Sequence, residues 1–237
     1  MNDLIKRNGG AIATPEANPF LAHGEAARST SIIGKLLKFS KGDWMAGEYN
    51  EQIPDGTEFV VNMDELLFGW VRWQDMKPTD QIMGKVAKAY QPPRRNELGD
   101  LDQSAWDTDE AGKGRDPWQP TYYALMQGTE KNEDQLYTFT TSSKGGMGQI
   151  ADLCKRVGLA QQRGKTGVHP VVSIGQDSYP HPNKAYGLIK YPTFEIVGWV
   201  EKGLFLNPDA EPELPVEKAP PPAAKAAPAK PKAKARF

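Results

Sequence analysis

The chain has 237 residues, of which 38% are hydrophobic, with 23 Gly, 20 Pro and a mean hydropathy of -0.61. That length supports one well-formed core, and the longest apolar run is only a few residues, too short for a transmembrane helix. The formal charge is -1, but residues 218–237 (KAPPPAAKAAPAKPKAKARF) carry five Lys, one Arg and no acid, so residues 1–217 sum to -7. Cys154 is the only cysteine, which rules out an intrachain disulfide. Residues 1–30 contain no hydrophobic stretch of signal-peptide type. These features set the expectation of a protein of the bacterial cytoplasm with no membrane partner.

Residues 1–30 are small, polar and aperiodic, and are expected to be a disordered arm. One globular β-rich domain is expected over 31–204. Residues 57–63 (TEFVVNM) and 66–74 (LLFGWVRWQ) are rich in β-branched and aromatic side chains, which predicts strands. The turn Pro54-Asp55-Gly56 leads into the first of them. Residues 82–90 (IMGKVAKAY) fit a weaker strand or a short helix. A polar insertion occupies 91–119, with Pro92-Pro93, Arg94-Arg95 and acids from Glu97 to Glu110. A loop of that length is functional or disordered.

Residues 121–127 and 135–141 predict a hairpin joined through GTEKNED. Ser142 or Ser143 then caps a helix over 146–160, where Ile150, Leu153, Cys154 and Val157 fall on one face. Residues 171–175 and 193–200 predict the last strands, with a Pro-rich connection that contains a short strand candidate at 186–190. Residues 205–237 predict a disordered Pro/Ala/Lys-rich tail. Seven or eight short strands and one principal helix predict a mainly β (α+β) fold. It is either an OB-like small barrel or a strongly curved antiparallel sheet.

Aromatic and basic residues alternate along the chain, as a single-strand nucleic-acid surface requires. Bases stack on rings, and nearby cations hold the phosphates. Strand alternation puts Leu66, Phe68, Trp70 and Arg72 on one face and Leu67, Gly69, Val71 and Trp73 on the other. The candidate nucleic-acid contacts are Trp44, Trp70, Arg72, Trp73, Tyr90, Arg94, Arg95, Tyr122, Lys144, Lys184, Tyr186 and Lys190. Lys144 belongs to Ser142-Ser143-Lys144-Gly145-Gly146, a strand-to-helix loop whose free N–H groups suit a phosphate. It lacks the Walker order, so nucleotide hydrolysis is not indicated. Lys184, Tyr186 and Lys190 lie in the 179–191 segment, where an ordered hairpin with solvated lysines is the plainer reading.

Catalytic constellations are missing from the sequence. His23, His169 and His181 have no partner at metal spacing, and Cys154 sits on the apolar helix face. The acids Asp100, Asp102, Asp107, Asp109 and Glu110 lack an EF-hand pattern. No enzyme activity, cofactor or metal is therefore expected.

The stretches KFSKGDWMAG, NMDELLFGWVRWQD, YQPPRRNELGD, LYTFTTSSKGGMGQIADLC and NKAYGLIKYPTFEIVGW resemble a group of uncharacterised phage and prophage proteins across residues 34–200. The overall plan is similar to phage single-stranded-DNA-binding proteins, which join an OB-type body to a disordered tail. In those proteins the tail is usually acidic and often ends in an aromatic residue. Phe237 fits that ending, and the basic charge departs from it. The resemblance implies a single-stranded-DNA partner and a role in replication or recombination, with replication or recombination proteins as further partners. Two alternatives are a phage assembly or host-takeover factor that binds protein through a basic tether, and a metal-dependent nuclease.

Overall fold

The computed structural model describes residues 32–108, 112–129, 135–184 and 187–206. The expected arm and nearly all of the expected tail lie outside these residues. Three short strands open the fold as an antiparallel meander: β1 (Lys35–Ser40), β2 (Asp43–Ala46) and β3 (Glu51–Ile53). The Pro54-Asp55-Gly56 turn leads into β4 (Glu58–Val61). A hairpin of β5 (Leu67–Gln74) and β6 (Lys77–Lys85) follows, and a single 3-10 turn at Val86–Lys88 closes it. Both readings of 82–90 thus hold for part of the segment. β7 (Trp118–Gly128) and β8 (Leu136–Thr141) form the expected second hairpin, and α1 (Lys144–Gln162) comes next. The long hairpin of β9 (Val168–Pro180) and β10 (Leu188–Glu201) ends the sheet.

The ten strands make one strongly curled sheet in an OB-like α+β arrangement. β4 pairs with β7 and with β9, β7 with β8, and β9 with β10, while α1 lies between β8 and β9. β4, β7, β8, β9 and β10 therefore follow each other as the five strands of an OB barrel do. The departure is at the closure. β8 takes β1 as its parallel neighbour, and β2 and β3 extend that edge. β5 continues along β7 beyond β4. The extra hairpins raise the strand count above the seven or eight expected.

Side chains close the curl where backbone pairing does not. Trp44 on β2 is 1% exposed, with its ring centroid 5.3 Å from Phe39, 5.1 Å from Phe139 and 5.6 Å from Phe194. Its Nε1–H donates to the carbonyl of Gly175 on β9 at 2.9 Å. One indole thus links β1, β2, β8, β9 and β10. Ile150, Leu153 and Val157 of α1 enter the same core, and the Ser143 hydroxyl caps the helix by accepting from the Gly146 amide at 3.1 Å. Cys154 packs half-buried against this core, and burial pushes its thiol up, away from the reactive thiolate. No helix among the described residues is long and apolar enough to cross a membrane.

A second, smaller cluster joins Val60, Leu125 and Phe205. The ordered body therefore runs past the expected boundary at 205. Leu206 donates its amide to Gln127 Oε1 at 2.8 Å, and Lys202 pairs with Asp64 at 2.7 Å. His169 lies edge-on to Phe205 at 5.6 Å, is 2% exposed, and has no partner on Nδ1.

Burial holds the His169 ring below its ordinary value of 6.5, with Asp64 opposing and Lys202 reinforcing the shift. The unfolded chain takes up a proton that the buried ring resists. The stability contribution is complete above pH 6.5 and is lost as the pH falls from there towards the lowered native value. The loss has a limiting slope of about 1.4 kcal/mol per pH unit. We expect the melting temperature to fall between pH 7.5 and 5.5, and to fall less in His169→Phe. An equal fall in both proteins, followed by calorimetry, would remove His169 from this account.

Candidate nucleic-acid interface

The β5 strand alternates as its sequence suggests, but the insertion covers the face that carries Trp70. Gly69 and Val71 are buried, while Phe68, Trp70 and Arg72 are half-buried. Leu66, placed by alternation beside Trp70, is instead 1% exposed in the core, because it lies before the strand starts. Phe68 stacks on Tyr122 at 4.4 Å, and Trp70 Nε1–H donates to the Pro93 carbonyl at 2.9 Å. The Tyr90 ring occupies the space where Gly84 lacks a Cβ.

Asp100, at φ 50°, ties the insertion to the sheet. Its carboxylate accepts from Arg72 Nε at 2.8 Å, Arg72 Nη2 at 3.2 Å and Trp118 Nε1 at 3.0 Å. Its carbonyl accepts from Arg95 Nη2 at 3.0 Å and Trp106 Nε1 at 2.8 Å. The Arg72 hydrogen bond holds the Asp100 carboxyl below its ordinary range, with Trp118 adding to the shift. Arg95 grips Asp116 through two bonds of 2.7 Å.

Several expected contacts are therefore corrected by their surroundings. Trp44 is core and offers no face to a base. Trp70, Tyr90 and Tyr122 pack against other parts of the chain. Arg72 and Arg95 spend their guanidinium groups on carboxylates that hold the insertion. Trp73 remains half-exposed past a bulge between Arg72 and Trp73, and Arg94 is exposed. Removing the Asp100 carboxylate with Asp100→Ala should leave the core fold in place and speed proteolytic cutting within 91–117. Unchanged cutting in a time course would mean that the insertion does not depend on this residue.

Two sequence features that looked separate adjoin in the fold. Tyr191 on β10 lies against the start of α1, where a Cβ on Gly145 would stand 2.7 Å from the Tyr191 Cβ. Lys144 is the exposed neighbour of that glycine. The Lys190 side chain lies over Gly42, which is buried at φ 102° in the turn after Lys41. The φ of Gly42 disfavours a side chain there, although the flexible end of Lys190 could move aside for a Cβ. Tyr191 and Tyr179 are 5.9 Å apart, and the Tyr191 hydroxyl donates to Asp177 at 3.0 Å. That carboxylate pushes the Tyr191 hydroxyl up, so the phenol stays protonated. Tyr179 is 41% exposed.

Some cations of the described residues are paired and others are not, and exposed Lys77, Lys88, Lys155 and Arg163 lie outside ion pairs as well. Lys35, Lys85, Lys202, Arg72, Arg95 and Arg156 each pair with a carboxylate. Lys41, Lys144 and Lys190 are exposed, and none forms an ion pair among the described residues. Lys184 is exposed at the tip of the same arm, where its carbonyl accepts from the Gly187 amide at 3.2 Å. Tyr186 lies outside the described residues. The sequence alone did not bring Lys41, Tyr179 and Gly145 to the β9–β10 arm, where Tyr179 and Gly145 adjoin Tyr191 and Lys41 precedes the glycine that Lys190 covers. The only local signal was the Lys-Gly turn in KFSKGDW. Among the described residues, no three His, Cys, Asp or Glu side chains form a group that could hold a metal. Compared with family models, curated proteins and solved structures, the chain finds no match.

Proposed function

We propose that this protein binds single-stranded DNA without catalysis, as a phage-type factor in replication or recombination. The observation that carries this reading is the β9–β10 arm, which bears Tyr179 and Tyr191 beside Lys144 on one face and Lys190 beside the Lys41-Gly42 turn on the other. Exposed cations without ion-pair partners and two neighbouring phenol rings on one arm match the two needs of a single strand, which are charge for phosphates and flat faces for bases. OB folds bind oligonucleotides partly through the loop between their fourth and fifth strands. The β9–β10 arm holds that place in this sheet. The outer side of β4 and β7 is filled by Phe205, so the contacts fall on the arm and the neighbouring turns. The -7 charge of residues 1–217 does not oppose this, because binding responds to charge concentrated locally.

Fluorescence anisotropy with labelled oligo-dT at about 50 mM salt tests the reading, since phosphate contacts are strongest at low salt. Saturable binding supports it. Absence of binding at that salt removes it, and the protein-partner reading takes its place.

A further inference from the structure

Two cavities flank Trp73. The larger, about 380 Å³, is lined by Trp73, Trp106, Leu101, Asp102 and Asp107 among others. The smaller, about 260 Å³, is lined by Trp73, Met76, Asp107, Thr108 and Arg115 among others. Trp73, Asp107 and Pro117 are common to both. We propose that these cavities take nucleobases of the bound strand beside Trp73, and that Asp107 favours bases with an exocyclic amine over thymine. This rests on the single-strand reading above and gives it a base preference.

The walls suit a flat aromatic ligand and are held in place. The Trp73 amide donates to the Pro117 carbonyl at 2.8 Å, and Trp106 Nε1 is held by the Asp100 carbonyl at 2.8 Å. The pairing shifts register beside Trp73, where β6 carries the extra residue Thr79 between Pro78 and Asp80, and such bulges recur beside binding sites. Met76, at the hairpin tip with φ 60°, is 85% exposed and extends the apolar rim of the smaller cavity.

The polar groups around the cavities are mostly committed. Asp100 is held by Arg72 and Trp118, Asp116 by Arg95, and Asp102 by Ser104, whose hydroxyl lies 2.6 Å away. The Asp107 backbone is fixed, since its carbonyl accepts from the Arg115 amide at 2.7 Å. Its carboxylate has no hydrogen bond or ion pair among the described residues. An ionised carboxylate only accepts, so its complement is a donor. Cytosine presents its N4 amine and adenine its N6 amine. Thymine presents O4, an acceptor that a carboxylate repels. Arg115 lines the smaller cavity and supplies a cation for the adjoining phosphate.

The test compares oligo-dC with oligo-dT, two pyrimidine strands of similar flexibility, by anisotropy on the full chain. We expect dC to bind at least about fivefold tighter than dT, the lower end of one base-specific contact. Asp107→Asn should bring that ratio close to one, because an amide donates as well as accepts. If the variant fails to fold, the wild-type ratio alone decides. Equal dC and dT affinities, with both strands bound, would overturn the base preference and leave the single-strand reading standing. No binding of either strand would overturn both.

Discussion

Replacing Trp44 with alanine is expected to destabilise the protein by about 3–5 kcal/mol, the range for a large buried ring cut back to a methyl group. The side chain touches three other rings and donates one buried hydrogen bond across the open part of the curl. Its loss opens a cavity between β2 and β10 where no backbone pairing holds the strands together. Trp44→Phe keeps a ring and loses the bond to Gly175, so a smaller cost of about 1–2 kcal/mol is expected. Urea denaturation of both variants checks this. A cost below about 1 kcal/mol for the alanine variant would place the closure elsewhere, since buried aromatic truncations do not fall that low.

The second large effect is on binding. Changing Lys41, Lys144 and Lys190 together to glutamine removes three unpaired charges and keeps most of their length. Each single-strand phosphate contact contributes about 0.7 to the salt slope, which at about 0.1 M salt is about 0.7 log unit of affinity. The triple variant should therefore bind oligo-dT about a hundredfold more weakly under those conditions. The Lys190 stem rests on Gly42, so a thermal melt must accompany the titration. Exchanging Arg72 or Arg95 for glutamine should instead act on the insertion, because each is already held by a carboxylate. A stably folded triple variant with unchanged affinity would move the interface away from the β9–β10 arm.

The sequence carried some of this fold in strong local signals. The 3.6 period through Ile150, Leu153 and Val157 marks α1, and the β-branched and aromatic runs mark β5, β7, β8 and β10. The strands β1 to β3 were not legible, because KLLKFS, DWMA and EQI are too short and mixed to show a period. Trp44 stands between Asp43 and Met45 and looks exposed in sequence. Its burial comes from Phe139 and Phe194, which no local pattern connects to it. The same limit applies to the site. Lys144 and Lys190 could be named as candidates, but only the packing of Tyr191 on Gly145 and of Lys190 on Gly42 ties the helix start and the first turn to the β9–β10 arm. Trp70 and Arg72 look like a ligand surface for the opposite reason. Pro93 and Asp100, which occupy them, lie in a loop whose path composition does not reveal.

The most direct test of the central claim is the salt dependence of oligo-dT binding by the full chain and by the Lys41, Lys144 and Lys190 triple variant. Dissociation constants would be measured by anisotropy from about 50 to 300 mM salt, the range over which counterion release dominates. The account predicts a linear fall of log affinity with log salt in the wild type, with a slope about 2 units shallower in the variant, because three contacts of about 0.7 are gone. No wild-type binding at the lowest salt, or one slope shared by both proteins, would contradict it.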